Sequence, residues 1–533
     1  MFIAALLIGI LSYSIFFLGI AGLLYKEIII LFTIAFTGSI IVWQRTKIFR
    51  KVREIREIGG IGEQKNKSFL LFGALFVTQG MVNLLGALGP ELAFDVLWYH
   101  LTIPKIWLNN HVISFIPGGL LYYSPMPKLA EMLYLGGLAF GSEIIAKLIH
   151  FSFGLLTCLA LYKLQRKFFN PVISMLGVVI FYANLVVAWE SITAYIDLVR
   201  AFFELMALWA FVNWWEKQRR VWLVWSAVMV GLAITTKLLA VGSLVIFVVL
   251  IILRGIREIR VIREVGIFLL IALLVPSPWF IFSYLNTGNP VYPFFTNIYK
   301  VAPEPLSIYG FIRDIWVLFT QAADPISPLY LIFLPLIALF WGRLGKIREI
   351  RLIGLYSLLA IVVWYFTPRT GGGRFILPYL PAFSILVASC VNEILQNKKQ
   401  YGIFFGRFLI FIVILVSIIS IGYRFAANIK YAPVVFGFET KQEFLSNNLN
   451  FSFGDFYDAD GYFEKNISSS DKVLLIGFHN LYYVNFPYVD TSWLRAEDKF
   501  NYIATQKTEP PEQFKDWKLI YSNKKTNVKL YKL

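Results

Sequence analysis

The sequence predicts an all-α polytopic membrane protein with about 13 transmembrane helices, outer interfacial helices and a small C-terminal α/β extracytoplasmic domain. Of the 533 residues, 58% are hydrophobic and only 15% are charged, whereas about 25% are charged in an ordinary soluble domain. The apolar residues also fall into blocks long enough to cross a bilayer, separated by short basic loops. These two observations exclude a soluble globular protein.

The net charge of +17 would suggest a nucleic-acid partner if the protein were soluble. From Arg424 to the C-terminus, however, 14 Lys and Arg residues are offset by 13 Asp and Glu residues. Nearly all of the excess charge therefore belongs to the membrane part and its loops. We expect the lipid bilayer, and no nucleic acid, to be the partner of this charge.

The order of the apolar segments predicts how the chain crosses the membrane. The predicted spans are 3–23, 28–43, 69–88, 144–162, 171–189, 198–214, 222–236, 238–253, 265–284, 326–342, 352–366, 375–391 and 408–423. The loops after the even-numbered spans together hold 25 Lys and Arg residues, and the opposite set holds far fewer. The positive-inside rule then places the N-terminus in the cytoplasm and the tail outside the cell (cytoplasmic) membrane. The predicted domains are a transmembrane domain, 1–423, and a soluble domain, 424–533.

The outer loop 89–143 holds one ambiguous apolar segment, residues 129–141. Counting this segment as a span would turn every later basic loop outward. We therefore predict that it is an interfacial helix or a re-entrant piece, with Lys128 and Glu131 near the lipid headgroups. The aromatic residues of the same loop predict further amphipathic helices at the interface.

Acidic residues at the outer edge of the membrane are the first candidates for function. Glu91, Asp95 and Tyr99 are four residues apart, which predicts two carboxyl groups on one helical face just beyond a span. The alternative is a solvated interfacial helix. Further along, Asp197 begins a segment in which Arg200 and Glu204 have the spacing of an ion pair.

Ionisable groups at membrane depth cost about 2.5–3.5 kcal/mol each, so they usually pair or function. We interpret Arg200 and Glu204 as a structural ion pair. Asp197, one turn closer to water, is the better functional candidate, and Glu190 is interpreted as a solvated loop charge.

Basic residues on the outer side run against the topological rule and need another explanation. Lys237 lies between two apolar helices, and Arg369 and Arg374 flank the glycines of TPRTGGGRF. Guanidinium groups grip phosphate oxygens with two hydrogen bonds, so these residues predict a phosphate site. Anchoring to lipid headgroups is the alternative.

Two other patterns concern the loops and the tail. An IREIR-like phrase recurs at 52–59, 256–266 and 347–354, either as low-complexity drift or as a contact with anionic headgroups. In the tail, the apolar runs near 474–477 and within 518–533 predict strands. The segment YYVNFPYVDTSW is predicted to be a surface loop.

Several phrases together resemble the GT-C type of lipid-carrier-dependent glycosyltransferases, which include protein O-mannosyltransferases and lipid A aminoarabinose transferases. The phrases are FDVLWYHLTIPKIWL at 94–108, YSPMPKLAEMLYLGGLAFG at 123–141, AYIDLVRAFF at 194–203, TGNPVYPFF at 287–295 and GRFILPYLP at 373–381. The resemblance covers most of the chain. It implies that the Asp after an early span, here Asp95, is catalytic, and that Asp197 closes the second outer loop.

The sequence departs from that family pattern in two respects. Two predicted helices precede Asp95, whereas family members often place the catalytic Asp after the first span. Family members also often have an adjacent acidic pair, whereas Asp95 lies between Phe94 and Val96. Glu91 or Asp197 is therefore left to supply a second carboxylate.

The resemblance implies a membrane glycosyltransferase that moves a hexosyl or pentosyl group from a polyprenyl-phosphate carrier to a lipid, glycan or protein acceptor. Asp95 would act as general base in an inverting displacement. Lys237, Arg369 and Arg374 would bind the phosphate, and Glu91, Tyr99, His100 and Lys105 would bind other parts of the substrates. Asp197 would orient the acceptor or hold a divalent cation, Mg²⁺ or Mn²⁺. The alternatives are a transporter or flippase of lipid-linked sugars, a surface-polysaccharide polymerase or ligase, and a non-catalytic scaffold in envelope assembly.

Overall fold

The chain folds into a bundle of helices followed by a small sheet. The computed structural model describes residues 1–40, 67–255, 259–298, 307–320, 325–367, 372–396 and 400–533. The first copy of the IREIR-like phrase, 52–59, the first three residues of the second copy, 256–258, and the predicted phosphate ligand Arg369 lie outside these residues.

The helices are numbered here in chain order. In the first half they are α1 Phe2–Ile20, α2 26–40, α3 Lys67–Leu88, α4 Thr102–Asn110, α5 Leu129–Ala139, α6 Glu143–Gln165, α7 Pro171–Tyr182, α8 Leu185–Glu190, α9 Asp197–Lys217 and α10 Arg220–Thr236. In the second half they are α11 Val241–Arg254, α12 Ile259–Leu274, α13 Ser277–Thr287, α14 Ile308–Thr320, α15 Leu329–Leu344, α16 Arg348–Phe366, α17 Leu380–Gln396, α18 Gln400–Asn428, α19 Ala432–Val435, α20 Lys441–Asn448 and α21 Tyr462–Asn466. Short π- or 3₁₀-helical turns, Val96–His100, Leu238–Ala240, Gly372–Phe375 and Leu377–Tyr379, join several of them.

Each of the thirteen predicted spans overlaps helices of the bundle, but fewer are long, unbroken and apolar enough to cross a membrane. In the described residues six helices meet that condition, α1, α3, α6, α16, α17 and α18. The α12 and α13 helices, bent by 60°, give a seventh if they form one span. Breaks shorten two of the predicted spans. The fifth divides into α7 and α8, and in the ninth Pro276 lacks the backbone N–H donor at the break between α12 and α13. The count of thirteen stays a prediction.

The ambiguous segment 129–141 forms α5, and α5 is buried. Every residue from Leu129 to Ala139 is buried, and the helix packs against α1, α4 and α6. Lys128 and Glu131 are buried as well, 2% and 1% exposed, so the prediction of a surface helix with both charges near the headgroups is wrong. A helix that is apolar on all faces is usually covered on all faces. The alternative interpretation, a re-entrant piece, stays a prediction.

The tail forms a five-stranded sheet with strand order β2-β1-β3-β5-β4. The strands are β1 Val473–Ile476, β2 Tyr488–Asp490, β3 Tyr502–Gln506, β4 Lys518–Asn523 and β5 Val528–Lys532. β1 lies parallel to β2 and β3, whereas β5 is antiparallel to β3 and β4. The predicted strands near 474–477 and within 518–533 are confirmed. The predicted surface loop is wrong, because Tyr482 to Val484 are buried and residues 488–490 form β2.

The sheet domain docks directly on the segment of the bundle between α3 and α5. The Nζ group of Lys105 donates to the carbonyl oxygens of Tyr482 (2.6 Å) and Val484 (2.8 Å) and to Oδ1 of Asn485 (2.7 Å). The N–H of Tyr482 donates to the carbonyl of Leu97 at 3.3 Å, within the turn that follows Asp95. The position of this turn is therefore coupled to the docking of the C-terminal domain.

Candidate active site

Five ionisable side chains meet at one end of the bundle, and each lies at or beside the end of a helix. Asp95 precedes the π-helical turn, Glu190 ends α8, and Asp197 begins α9. Lys237 is the C-cap of α10, and Arg374 lies in the turn between α16 and α17. A carboxylate at a helix N-terminus and an ammonium at a helix C-terminus are both stabilised by the helix dipole. The helix dipole therefore favours Asp197 at the start of α9 and Lys237 at the end of α10, but it does not favour Glu190 at the end of α8.

Arg374 connects the three carboxylates. Its Nη2 group donates to Oδ2 of Asp95 at 2.9 Å, and its Nε lies 3.4 Å from Oδ2 of Asp197 and 3.7 Å from Oε1 of Glu190. The guanidinium carbon lies 4.3 Å from the ring centroid of Tyr195, a cation–π contact. The aromatic ring and the acids together hold the guanidinium plane in one orientation.

The second cation of the site is Lys237. Its Nζ donates to Oδ1 of Asp197 at 2.7 Å and lies 5.0 Å from the ring centroid of Phe375. Asp197 therefore bridges Lys237 and Arg374, and the two positive groups share one buried carboxylate. Opposite charges at this distance attract strongly where water is excluded.

Burial divides the five residues into two groups. The side chains of Asp197 and Glu190 are 0% exposed, whereas those of Asp95, Lys237 and Arg374 are 22%, 13% and 12% exposed. A substrate can therefore reach one carboxylate and both cations directly. The fully buried carboxylates of Asp197 and Glu190 contact the cations on the side away from solvent.

The sequence did not indicate that Glu190 belongs to this cluster. Its interpretation as a solvated loop charge is wrong, because α8 ends inside the protein and the side chain is fully buried. His150 lies beneath it, with Nδ1 2.9 Å from the carbonyl oxygens of Glu190 and Thr193. The Nε2 atom of His150 accepts from the N–H of Leu198 at 3.1 Å, so Nδ1 carries the proton and joins α6 to the start of α9.

The predicted ion pair of Arg200 with Glu204 forms inside the bundle, deeper than the site. The Nε group of Arg200 lies 3.2 Å from Oε1 of Glu204, and its Nη2 donates to the hydroxyl of Tyr379 at 3.0 Å. Ser243 donates to the same Glu204 oxygen at 2.5 Å. These bonds tie α9 to α11 and to the turn that carries Arg374.

Glu91 does not share a helical face with Asp95 as predicted, because helical structure begins only at Phe94. One carboxylate oxygen of Glu91 accepts from the N–H groups of Leu92 and Ala93 at 2.9 Å, and the other accepts from Ala194 at 2.8 Å. Glu91 is 1% exposed. It therefore joins the segment after α3 to the segment between α8 and α9, four residues before Asp95 in sequence but turned away from solvent.

The other predicted substrate ligands surround the cluster or lie apart from it. His100 is buried, and its Nδ1 lies 3.0 Å from Oε1 of Glu131. Burial lowers the pKa of His100, although the hydrogen bond to Glu131 opposes the shift. Tyr99 stacks on Tyr123 with ring centroids 4.0 Å apart. Lys105 bonds to the C-terminal domain, as described above, and contributes to that interface.

An apolar cavity lies beside the charged cluster. It has a volume of about 270 Å³ and lies among α14, α15, α16 and α17. Ile376, two residues after Arg374, contributes to its wall together with Ile315, Tyr330, Trp364 and Phe383.

Within the described ranges, no group of three or more His, Cys, Asp or Glu side chains is arranged to hold a metal ion. All three site carboxylates already face cations of the protein. A divalent cation at Asp197 stays a prediction.

Comparison with known proteins gives one family match and several fold matches. Residues 134–282 match the family described as dolichyl-phosphate-mannose-protein mannosyltransferase, and this range includes Glu190, Asp197 and Lys237. No curated protein matches the sequence.

Three solved structures illustrate the fold similarity. ArnT from Cupriavidus metallidurans in the apo state is 13% identical with a TM-score of 0.57, over 86% of this chain and 97% of that chain. The same protein bound to undecaprenyl phosphate is 12% identical with a TM-score of 0.55, over 87% and 97%. The oligosaccharyltransferase of Archaeoglobus fulgidus in the apo form is 12% identical with a TM-score of 0.50, over 83% and 70%. The resemblance to GT-C type, polyprenyl-phosphate-dependent membrane glycosyltransferases is confirmed by the family match and the shared fold.

Proposed function

We propose that this protein is an integral-membrane glycosyltransferase that moves a sugar from a polyprenyl-phosphate carrier to an acceptor hydroxyl at the outer side of the membrane. The observation that carries the proposal is the meeting of Asp95, Lys237 and Arg374 beside an apolar cavity. An accessible base, two accessible cations and a hydrocarbon-sized groove are the groups that this reaction requires. The family description and the ArnT structure bound to undecaprenyl phosphate support the type of donor.

The carrier phosphate would bind between Arg374 and Lys237. Both side chains are cations that solvent can reach, and both are held from behind by the sealed carboxylate of Asp197. An Arg can donate two parallel hydrogen bonds to phosphate oxygens, and the Lys adds a point charge. The polyprenyl tail would then leave the site through the cavity that begins at Ile376.

Asp95 would act as the general base. Its Oδ2 atom is held by Arg374 at 2.9 Å, while Oδ1 makes no hydrogen bond with the described residues. Oδ1 would accept the proton of the acceptor hydroxyl as that oxygen attacks the anomeric carbon. The bond between the anomeric carbon and the phosphate oxygen breaks, and the electron pair leaves with the carrier phosphate. A direct displacement of this kind inverts the anomeric configuration.

Arg374 and Lys237 would stabilise the negative charge that grows on the leaving phosphate. Asp197 and Glu190, which are sealed from solvent, would act as positioning residues that fix the two cations before the substrate arrives. Preorganised charges in a site of low dielectric stabilise a transition state without having to reorient during the reaction. This assigns Asp197 a role behind the cations in preference to contact with the acceptor.

The acceptor would lie against an aromatic wall that both domains build. His479 of the C-terminal domain stacks on Phe94, with ring centroids 4.9 Å apart, and contacts Trp98 at 4.5 Å. Phe94 is directly before Asp95 and is 37% exposed. Flat apolar surfaces of this kind suit the face of a sugar ring or a lipid headgroup.

The proposal is tested by assaying the purified protein in nanodiscs with radiolabelled polyprenyl-phosphate sugars and an extract of envelope acceptors. Label should move to the acceptor in step with release of free polyprenyl phosphate, and Asp95→Asn should stop both. The control Glu439→Gln removes a carboxylate in the C-terminal part of the chain, away from the site, and should behave like the unmodified protein. Movement of intact donor between leaflets without release of the carrier phosphate would favour a flippase and overturn the proposal.

A further inference from the structure

A polar cavity lies at the other end of the bundle. The glycosyl transfer proposed above does not use it. The cavity has a volume of about 590 Å³ and lies where α11 ends and α12 and α16 begin. Four arginines contribute to its wall, Arg254, Arg260, Arg348 and Arg351. The single acidic side chain among its lining residues in the described part of the chain is Glu264, so the lining groups carry a net charge of +3.

The position of the cavity follows from the length of α16. Arg348 is the first residue of this 19-residue helix, and the turn with Arg374 follows its last residue, Phe366. At 1.5 Å per residue the helix is about 28 Å long, close to the thickness of a bilayer core. The cavity and the candidate active site therefore lie at opposite faces of the membrane.

Two of the arginines are held in place by the protein. Arg260 donates through Nε to Oε1 of Glu264 at 2.8 Å and through Nη2 to Oε1 of Gln218 at 3.0 Å. The guanidinium of Arg254 lies 4.5 Å and 5.1 Å from the ring centroids of Trp214 and Trp215. These contacts make one wall of the cavity rigid and positively charged.

The other two arginines are available to a ligand. Arg348 and Arg351 are exposed on the first turn of α16, and neither makes a hydrogen bond or ion pair with the described residues. They are three residues apart, so their side chains lie on the same face of the helix. The positive-inside rule accounts for basic residues in this loop. It does not account for four guanidinium groups around one cavity.

The repeated IREIR phrase explains how the sequence builds this arrangement. The second Arg of the phrase is Arg260 in the copy at 256–266 and Arg351 in the copy at 347–354. The two copies lie at the starts of α12 and α16, which both pack against α11, and each copy contributes arginine side chains to the lining of the cavity. This structural use of both copies favours a functional origin over sequence drift.

We propose that this cavity binds a phosphate group, either the headgroup phosphate of an anionic lipid or a free phosphate. Four guanidinium groups, three of them within the first turns of two helices, offer paired donors at several angles to tetrahedral oxygens. Basic cavities between transmembrane helices are suited to anionic headgroups, because the acyl chains can stay in the bilayer. The site is separate from the carrier-phosphate site, since it lies at the opposite face.

The test uses the full-length protein in a non-ionic detergent and calorimetric titration with dihexanoyl phosphatidylglycerol or with inorganic phosphate. The variant Arg348→Gln/Arg351→Gln removes the two unpaired cations, and Arg343→Gln/Lys346→Gln removes the same charge from the same loop outside the cavity. The first variant should bind at least about tenfold more weakly, because each charged hydrogen bond contributes measurably to affinity. The control should change less than about twofold. Elution volume and thermal unfolding check that both variants are folded.

The possible outcomes distinguish a lipid headgroup from free phosphate as the ligand, and some of them would overturn the proposal. Tight binding of phosphatidylglycerol with weak competition by inorganic phosphate supports a lipid site, and equal competition supports a site for free phosphate. Equal losses in both double variants would show a general charge effect and would overturn the proposal. Loss of binding in Arg374→Gln, with normal binding in Arg348→Gln/Arg351→Gln, would assign the phosphate to the outer site and would also overturn it.

Discussion

At the scale of single residues, the accessibility of Asp95 makes it the sharpest test of the proposed chemistry. Asn at this position keeps the size of the side chain but cannot accept a proton. If a general base contributes about 10²–10⁴-fold, turnover by Asp95→Asn should fall by that factor while the protein still inserts and folds. Glycosyl transfer by the purified variant, measured beside Glu439→Gln, checks this. Near-normal turnover by Asp95→Asn would remove the proposed mechanism.

The buried pair of Asp197 and Lys237 allows a second test at this scale. Removing either partner of this largely buried ion pair leaves the other with less compensation, although Arg374 still faces Asp197, so Asp197→Asn and Lys237→Met should each destabilise the protein by up to about 3–5 kcal/mol. The double variant should cost less than the sum, because neither charge is then left alone. Denaturant unfolding in detergent measures the free energies.

The matched control for that pair is Lys167 with Glu216, an ion pair of 2.9 Å in which the side chains are 25% and 42% exposed. Its double-mutant cycle should give at most about 1 kcal/mol. A coupling energy for Asp197 and Lys237 as small as that of the exposed pair would contradict the assignment of Asp197 as the residue that positions the cations.

Sequence reasoning selected four of the five clustered side chains, because each had a chemical reason to be unusual where it was. Asp95 and Asp197 were acids at the edge of spans, and Lys237 and Arg374 were cations on the side that topology disfavours. Glu190 was missed, since its burial depends on α8 ending inside the protein. The apolar residues near it in the sequence, Ala188, Trp189 and Ile192, were weak evidence that such an end was possible.

At the scale of elements, the contact of the C-terminal domain with the turn after Asp95 makes a third prediction. Lys105→Met removes three hydrogen bonds to the segment 482–485, so amide hydrogen exchange should quicken there and in residues 94–100. Transfer activity should fall because the position of Asp95 depends on this docking. Lys26 and Lys105 line one surface cavity, so Lys26→Met is the matched control and should change neither.

Unchanged exchange in Lys105→Met would mean that the other contacts of the domain hold it in place. Gly118 is one such close contact: a Cβ atom there would lie 1.8 Å from the carbonyl oxygen of Ser492, and its φ of +83° favours glycine. Mutation of Gly118 to Ala would then be the variant that releases the domain.

The helices themselves were largely predictable, since apolar periodicity and length are properties of a single segment. The residues that pack around a helix come from other parts of the chain, so the sequence of the helix alone does not predict them. α5 was predicted to be exposed on one side, yet α1, α4 and α6 cover it. Tyr482 and Tyr483 looked like surface residues because their partners, Leu97 and Glu91, are almost 400 positions away in the sequence.

At the scale of the whole molecule, the two sites give the bundle a polarity. A carboxylate and two cations lie at one end, and four arginines surround a cavity at the other. The sequence predicted the same polarity. The loops after the even-numbered spans hold 25 Lys and Arg residues, and Arg254, Arg260, Arg348 and Arg351 are among them. The number of spans was less accessible, since breaks such as that at Pro276 depend on how neighbouring helices satisfy the backbone.

Orientation in the membrane is the prediction that this polarity makes. If the arginine cavity faces the cytoplasm, the active site and the sheet domain face outward, where nucleotide sugars are absent and a lipid-linked donor is needed. An alkaline phosphatase fused after Leu533 should therefore be active, and a cytoplasmic fluorescent reporter at the same position should be dark. A fusion in the loop at Lys346 should show the reverse pair of results. A bright fluorescent reporter after Leu533, with an inactive phosphatase there, would invert the molecule and place the proposed transfer on the wrong side of the membrane.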